Sequence, residues 1–188
     1  MSKTVLVPVA DGTEELEAVA VIDVLRRAEA HVTVGSVAGP QIVASRGTKI
    51  IADALISQCA ERAFDLIVLP GGMPGSEYLR DCPQLIDMLR EQKRQTRLYG
   101  AICAAPAVVL AHHGLLGDLA ATCHPAFSSR IENKTRMDSR VVVDGNCITS
   151  RGAGTAVEFA LNLVALLYGR EKALAVASPM LARFDFAF

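Results

Sequence analysis

"TVLVPVADGTEELEAVAVIDVLRRAEAHVTVGSVA", residues 4–38, decides the fold. The runs TVLVPVA (4–10) and HVTVGSVA (31–38) have the length and valine content of strands. Between them EELEAVAVIDVLRRAEA has the length and composition of a helix, entered through Asp11-Gly12-Thr13, with Thr13 as its N-cap. Strand, helix and strand in this order form a β-α-β unit, which implies a parallel sheet covered by helices.

Downstream segments supply further strands and helices. QIVASRGTKII (41–51) predicts a strand pair turning near Arg46-Gly47, and FDLIVLPGG (64–72) is the continuous apolar run of a buried central strand. A helix follows over roughly 83–95, then the strand RLYGAI (97–102). Pro106 stands in the first turn of the next helix, where proline is tolerated. RVVVDGNCITS (140–150) predicts a hairpin around Asp144-Gly145, and a last helix runs from Gly154-Thr155 through VEFALNLVALLYG. With no repeat or linker, one α/β domain over residues 1–188 accounts for the chain.

The 188 residues are 51% hydrophobic and carry a net charge of −1. This speaks for a compact soluble globule and against disorder or an electrostatic grip on nucleic acid. No stretch approaches the roughly 18 apolar residues of a membrane helix, and the apolar run in MSKTVLVPVADG is too short for a secretory signal. A cytoplasmic location follows as the expectation. The five cysteines, Cys59, Cys82, Cys103, Cys123 and Cys147, contain no CxxC pair, so neither a zinc ribbon nor a thioredoxin motif is available.

Open parallel sheets bind ligands outside the carboxyl ends of their strands. Cys103 lies there, at a strand-to-helix junction, where a helix dipole and free amides such as that of Ala104 can stabilise a thiolate or an oxyanion. The position alone leaves a reactive nucleophile and a packed structural thiol equally open. Glu17 says more. Winding residues 14–29 at about 100° per residue puts Glu15, Asp23, Arg26, Arg27 and Glu29 on one side, and Glu17 among Val21, Val24, Leu25 and Ala28 on the other. A carboxyl on the buried stripe has its pKa raised and can donate a hydrogen bond; the bland alternative is an acid at a helix start. Val19 and Ile22 fall on the polar side, hinting at cover by a second subunit. Gly71-Gly72 can bring amides close to a bound oxygen, although GGMPG is not a phosphate loop. Among candidate bases, His112 and His113 lie well into the helix after Cys103, whereas His124, in TCHP, is in a loop able to reach the site.

Taken in order, DGTEELEAV, SRG (45–47), LPGG (69–72), AICAAP (101–106), TCHP and TSRGAGT (149–155) resemble the ThiJ/PfpI superfamily, closest to the branch of the Parkinson-associated protein deglycase and bacterial YajL. The likeness runs from residue 4 to about residue 180. It implies a flavodoxin-like three-layer α/β sandwich, a homodimer with the first helix at the interface, and no cofactor. It implies that Cys103 is a low-pKa nucleophile, Glu17 its protonated partner, Gly72 and Ala104 the oxyanion-hole amides, and His124 a pocket residue. Glu14 and Arg46 match positions at the pocket rim and dimer contact. The implied activity is deglycase or glyoxalase chemistry on methylglyoxal or glyoxal adducts of proteins and nucleotides. The alternative is an oxidative-stress sensor and chaperone of unfolded clients using the same cysteine. Protease-like members carry histidine after the nucleophile; Ala104 stands there in this chain and argues against peptidase activity. Ala44 and Ala52 occupy the region of the branch's accessory cysteines.

Overall fold

The computed structural model describes residues 2–188. The quoted stretch folds as β1 (Thr4–Val9), α1 (Glu15–Arg27) and β2 (His31–Ser36), with β1 and β2 parallel in register Thr4↔His31 through Val9↔Ser36. The hairpin β3 (Gln41–Val43) and β4 (Lys49–Ile51) forms a separate antiparallel pair. The short β5 (Ala54–Leu55) and α2 (Ile56–Cys59) lead to β6 (Leu66–Leu69), and α3 (Gly75–Arg80) and α4 (Pro83–Arg94) lead to β7 (Leu98–Ile102). The hairpin β8 (Val141–Asp144) and β9 (Cys147–Ser150), then α5 (Ala156–Tyr168) and α6 (Arg170–Ala177), complete the elements.

The seven-stranded sheet has the order β5-β2-β1-β6-β7-β9-β8, parallel throughout except for β8 against β9. Alternation along β1 divides the core in two. Val5, Val7 and Val9 face α1, α5 and α6, through Val21, Leu25, Phe159, Leu163 and Ala173. Leu6 faces the other layer, with Ile67, Tyr99 and the α3–α4 side chains Leu79, Leu85 and Leu89. Helix, sheet and helix thus make three layers, the flavodoxin-like arrangement that the family resemblance implied. Truncating a fully buried leucine such as Leu6 to alanine should cost about 2–5 kcal/mol.

From β1 the chain moves outward to β2 and β5, then returns to the far side of β1 with β6. The loops after β1 and β6 therefore diverge from neighbouring strands, the usual place for a ligand crevice. Here the two backbones close on each other. The Glu14 amide donates to the Gly71 carbonyl at 2.9 Å, and a Cβ on Gly72 would lie 2.3 Å from the Gly12 carbonyl oxygen. Gly72 also has φ +91°, a conformation glycine adopts without a Cβ penalty. The tight approach leaves the active edge to the neighbouring strands β6 and β7.

Local readings differ from the structure at definite places. Thr13 is not the N-cap: its Oγ1 accepts the Ala10 amide at 3.0 Å, folding the side chain into the turn after β1, and Glu14 takes the cap position without a side-chain bond. Ile22 is buried within the chain, because α1 also packs on α5; Val19 and Leu16 remain exposed at 51% and 53%. The segment after Cys103 is a short π-helical turn over Pro106–Ala111 rather than a long α-helix. The 140–150 hairpin turns at Gly145-Asn146, one residue later than predicted. Helices α3 and α6, of only six and eight residues, are too short for their periodicity to show in the sequence.

Candidate active site

Cys103 is the first residue beyond β7 and adopts φ +64°, a left-handed conformation costly for a side chain with a Cβ. Neighbours from other segments hold it there. Its amide donates to the Ser150 carbonyl at 3.0 Å, extending the β7–β9 pairing by one step, and its carbonyl accepts the His124 amide at 2.8 Å. With both backbone groups tied, the side chain is turned out of the strand and the thiol is partly exposed. The backbone amides of Ala104 and Gly72 lie on the sulfur's side of the elbow and favour its charged form. These are the two amides expected from the sequence.

Glu17, on the buried stripe of α1, is wholly inaccessible. Its Oε2 accepts the Gly71 amide at 2.7 Å. Its Oε1 is buried with no hydrogen-bond partner among the described residues, and the Cys103 thiol and the Glu14 carboxylate are the titrating groups that act on it. Gly71 is what lets the three segments meet: a Cβ there would lie 2.7 Å from Cys103 Cβ, 2.8 Å from Glu17 Oε2 and 2.9 Å from the Ile102 carbonyl.

Burial pushes the Glu17 carboxyl up to about 7, against the pull of the Gly71 amide. Burial also pushes the Cys103 thiol up to about 12; the Glu17 charge adds to this, and the Ala104 and Gly72 amides oppose it. A double negative charge is thus strongly disfavoured, and a thiolate near neutral pH requires the proton to stay on Glu17. The acidity of the thiol therefore depends on whether Glu17 carries its proton. The reactive state belongs to the pair, in which a protonated Oε1 has sulfur as its natural acceptor.

The other candidates are placed less centrally. His124 is exposed, its Nδ1 accepts the Ala126 amide at 3.3 Å, and its ring lies beside Gly152. Its tie to Cys103 is through the backbone, so a general-base role for the ring has no geometric support. His113 Nε2 meets the Arg80 carbonyl at 2.9 Å, away from the sulfur. Glu14 Oε2 accepts the Ser45 hydroxyl at 2.6 Å, while Arg46 is exposed and its guanidinium makes no ion pair among the described residues. The residue that ties the hairpin to α1 is Glu15, which accepts the Ser45 hydroxyl at 2.9 Å and the Arg46 amide at 3.0 Å. In the sequence Glu15 reads only as one of the charges on the polar side of α1. Gly71, expected to offer an amide to a bound oxygen, instead gives it to Glu17, and Ser150, which seats Cys103, carries no local signal in the sequence. No three His, Cys, Asp or Glu side chains converge as a metal site among the described residues.

Comparison with known proteins places this geometry. The family model described as "DJ-1/PfpI family" matches residues 3–166. Protein DJ-1 homolog B of Arabidopsis thaliana is 48% identical over 178 residues, covering 94% of this chain, which spans only 41% of that relative's length. The Caenorhabditis elegans protein named glutathione-independent glyoxalase DJR-1.2 is 35% identical, with 95% of each chain covered. The solved structure of oxidized Toxoplasma gondii DJ-1 superposes with a TM-score of 0.93 at 44% identity, over 100% of both chains. The strained cysteine, the buried glutamate and the seven-stranded sheet therefore belong to a member of the DJ-1/PfpI family.

Proposed function

We propose that the chain is a cofactor-independent glyoxalase that also acts as a deglycase on methylglyoxal or glyoxal adducts of proteins and nucleotides. One observation carries this reading: a partly exposed sulfur faces two backbone amides and a buried carboxyl with an unpartnered oxygen. The name of the nematode relative as a glutathione-independent glyoxalase supports it.

For methylglyoxal, the Cys103 thiolate attacks the aldehyde carbon, forming the C–S bond as the carbonyl π pair moves onto oxygen. The amides of Gly72 and Ala104 stabilise that oxyanion, and Glu17, protonated near neutral pH, delivers its proton to it. The resulting Glu17 carboxylate removes the C1 proton to give an enediol, the C1 hydroxyl proton passes to the C2 oxygen, and Glu17 returns its proton to C2, so that the hemithioacetal becomes the thioester of lactate. Water then cleaves the C–S bond, releasing lactate and restoring the thiol. No electron acceptor is needed, because C1 is oxidised as C2 is reduced. On a glycated amine the adduct is a hemiaminal: its C1–N bond breaks as the C1–S bond forms, Glu17 delivers its proton to the leaving amine, and the same hemithioacetal results.

Substitution tests the assignment. Cys103→Ser should abolish lactate release from methylglyoxal, and Glu17→Gln should slow it by about 100-fold or more, the usual scale of acid–base catalysis. Lactate release that survives both changes would show that the chemistry lies elsewhere. A second role, as an oxidation sensor and holdase for unfolded clients, draws support from the oxidized state of the Toxoplasma structure. The same amides and a protonated Glu17 suit a sulfinate oxygen. Peroxide titration followed by mass spectrometry should then add oxygen to Cys103 before any other thiol. A homodimer in the cytoplasm fits the exposed Leu16 and Val19 on α1, with small aldehydes and glycated proteins as substrates.

A further inference from the structure

We infer that the Thr149 hydroxyl is a positioning residue that holds Cys103 in its strained conformation, acting through the backbone of the 121–124 loop. The inference rests on Cys103 being the reactive residue, but not on which substrate it attacks.

Two supports fix the Cys103 peptide units, and both lead to β9. The first is direct, from the Cys103 amide to the Ser150 carbonyl at 3.0 Å. The second is relayed. The Cys103 carbonyl accepts the His124 amide at 2.8 Å, and the loop carrying that amide is pinned two residues earlier, where the Thr122 amide donates to Thr149 Oγ1 at 3.0 Å. Thr122 is wholly buried and Thr149 is 1% exposed, so water offers no substitute partner. The Thr122 hydroxyl donates to the Met137 carbonyl at 2.7 Å, anchoring the loop on its other side.

Successive residues of a strand point to opposite faces. Ser150 therefore serves the elbow through a main-chain carbonyl in the plane of the sheet, and Thr149 through a hydroxyl raised from one face of it. A left-handed non-glycine residue persists only where its surroundings over-determine it. At Cys103 the pair of bonds to amide and carbonyl is that over-determination. Removing the hydroxyl orphans the Thr122 amide, lets the loop withdraw the His124 amide, and frees the elbow to relax. Relaxation turns the sulfur away from the Gly72 and Ala104 amides. Valine at position 149 keeps the shape and deletes the acceptor.

The test is the rate of Cys103 alkylation by iodoacetamide, followed by peptide mass spectrometry on the folded protein. Cys82, partly exposed at the start of α4, provides an internal reference. Thr149→Val should slow Cys103 alkylation at least tenfold at neutral pH and leave Cys82 unchanged, while Thr149→Ser, which keeps the oxygen, should restore the rate. Thr122→Val, which removes only the bond to Met137, should retain most of it. If Thr149→Val fails to fold, the Ser and Ala variants make the same comparison, since both lose the methyl and only serine keeps the acceptor. Wild-type alkylation in Thr149→Val, or equal rates in the Ser and Ala variants, overturns the inference. Lactate release, measured in parallel, separates the two proposals: its absence from the unaltered chain, with the alkylation contrast intact, would remove the glyoxalase reading alone.

Discussion

Cys103 and Cys147 sit on adjacent paired strands, and burial pushes both thiols up to about 12. By that measure they are alike. Their surroundings are not. Cys147, at the start of β9, is 3% exposed and lies against Tyr99, whose hydroxyl donates to the Leu115 carbonyl at 2.8 Å. Cys103 lies at the opposite, carboxyl end of the sheet, where two amides and a glutamate converge on the sulfur. Desolvation is common to any interior thiol; fixed donors placed to receive charge are what make one of them useful. The unpartnered Oε1 of Glu17 belongs to the same contrast, since the Tyr99 side shows no comparable orphan atom.

The sharpest way to break this comparison is competitive alkylation of the native protein. Cys103 should react about 100-fold faster or more than Cys147, read by mass spectrometry at short times; comparable rates would erase the distinction. Next in size is Gly71→Ala. Its Cβ has no room between Cys103, Glu17 and Ile102, so lactate release should disappear, with about 3 kcal/mol or more lost in urea unfolding. Retained activity would mean that the three segments need not meet.

The pH dependence of stability sharpens the role of Glu17. Its folded pKa, about 7, lies above the ordinary 4.5, so the folded state binds the extra proton. That stabilisation is fully present below about pH 4.5 and is lost as pH rises through about 7, a loss of roughly 3 kcal/mol. Glu17→Gln should flatten the profile, and denaturant titrations at pH 5 and pH 8 measure it. A wild-type chain equally stable at both would deny the buried acid. The smallest effect belongs to the Cys147 side. Tyr99→Phe leaves the Leu115 carbonyl without its donor and should cost about 1–2 kcal/mol, with the Cys103 alkylation rate unchanged.

How legible each residue was follows from the range of the interactions that place it. Glu17 was readable because helical winding is local: its position among Val21, Val24 and Leu25 already placed it on the buried face. Cys103 was readable as a junction residue, since an apolar strand ends there and Pro106 follows. Thr13 was misread because two partners compete for its hydroxyl, and the Ala10 amide in the preceding turn wins over the helix start. Ile22 was assigned to a second subunit because winding alone does not reveal that α5 covers that side of α1 within the chain. His124 passed as a candidate base on residue type, yet its backbone amide is what reaches Cys103.

By itself the sequence determined the β-α-β order, the parallel sheet, the buried stripe of α1 and the junction carrying the cysteine. All of these follow from periodicity and residue type within one segment. Only the tertiary structure decided the left-handed turn at Cys103, the nearness of the Gly72 and Ala104 amides, the support from Ser150 and Thr149, and the burial of the Glu17 carboxyl beside the thiol. Each depends on segments tens of residues apart being packed to within a hydrogen bond of one another. A strained backbone and a buried acid exist only where that packing leaves them no alternative.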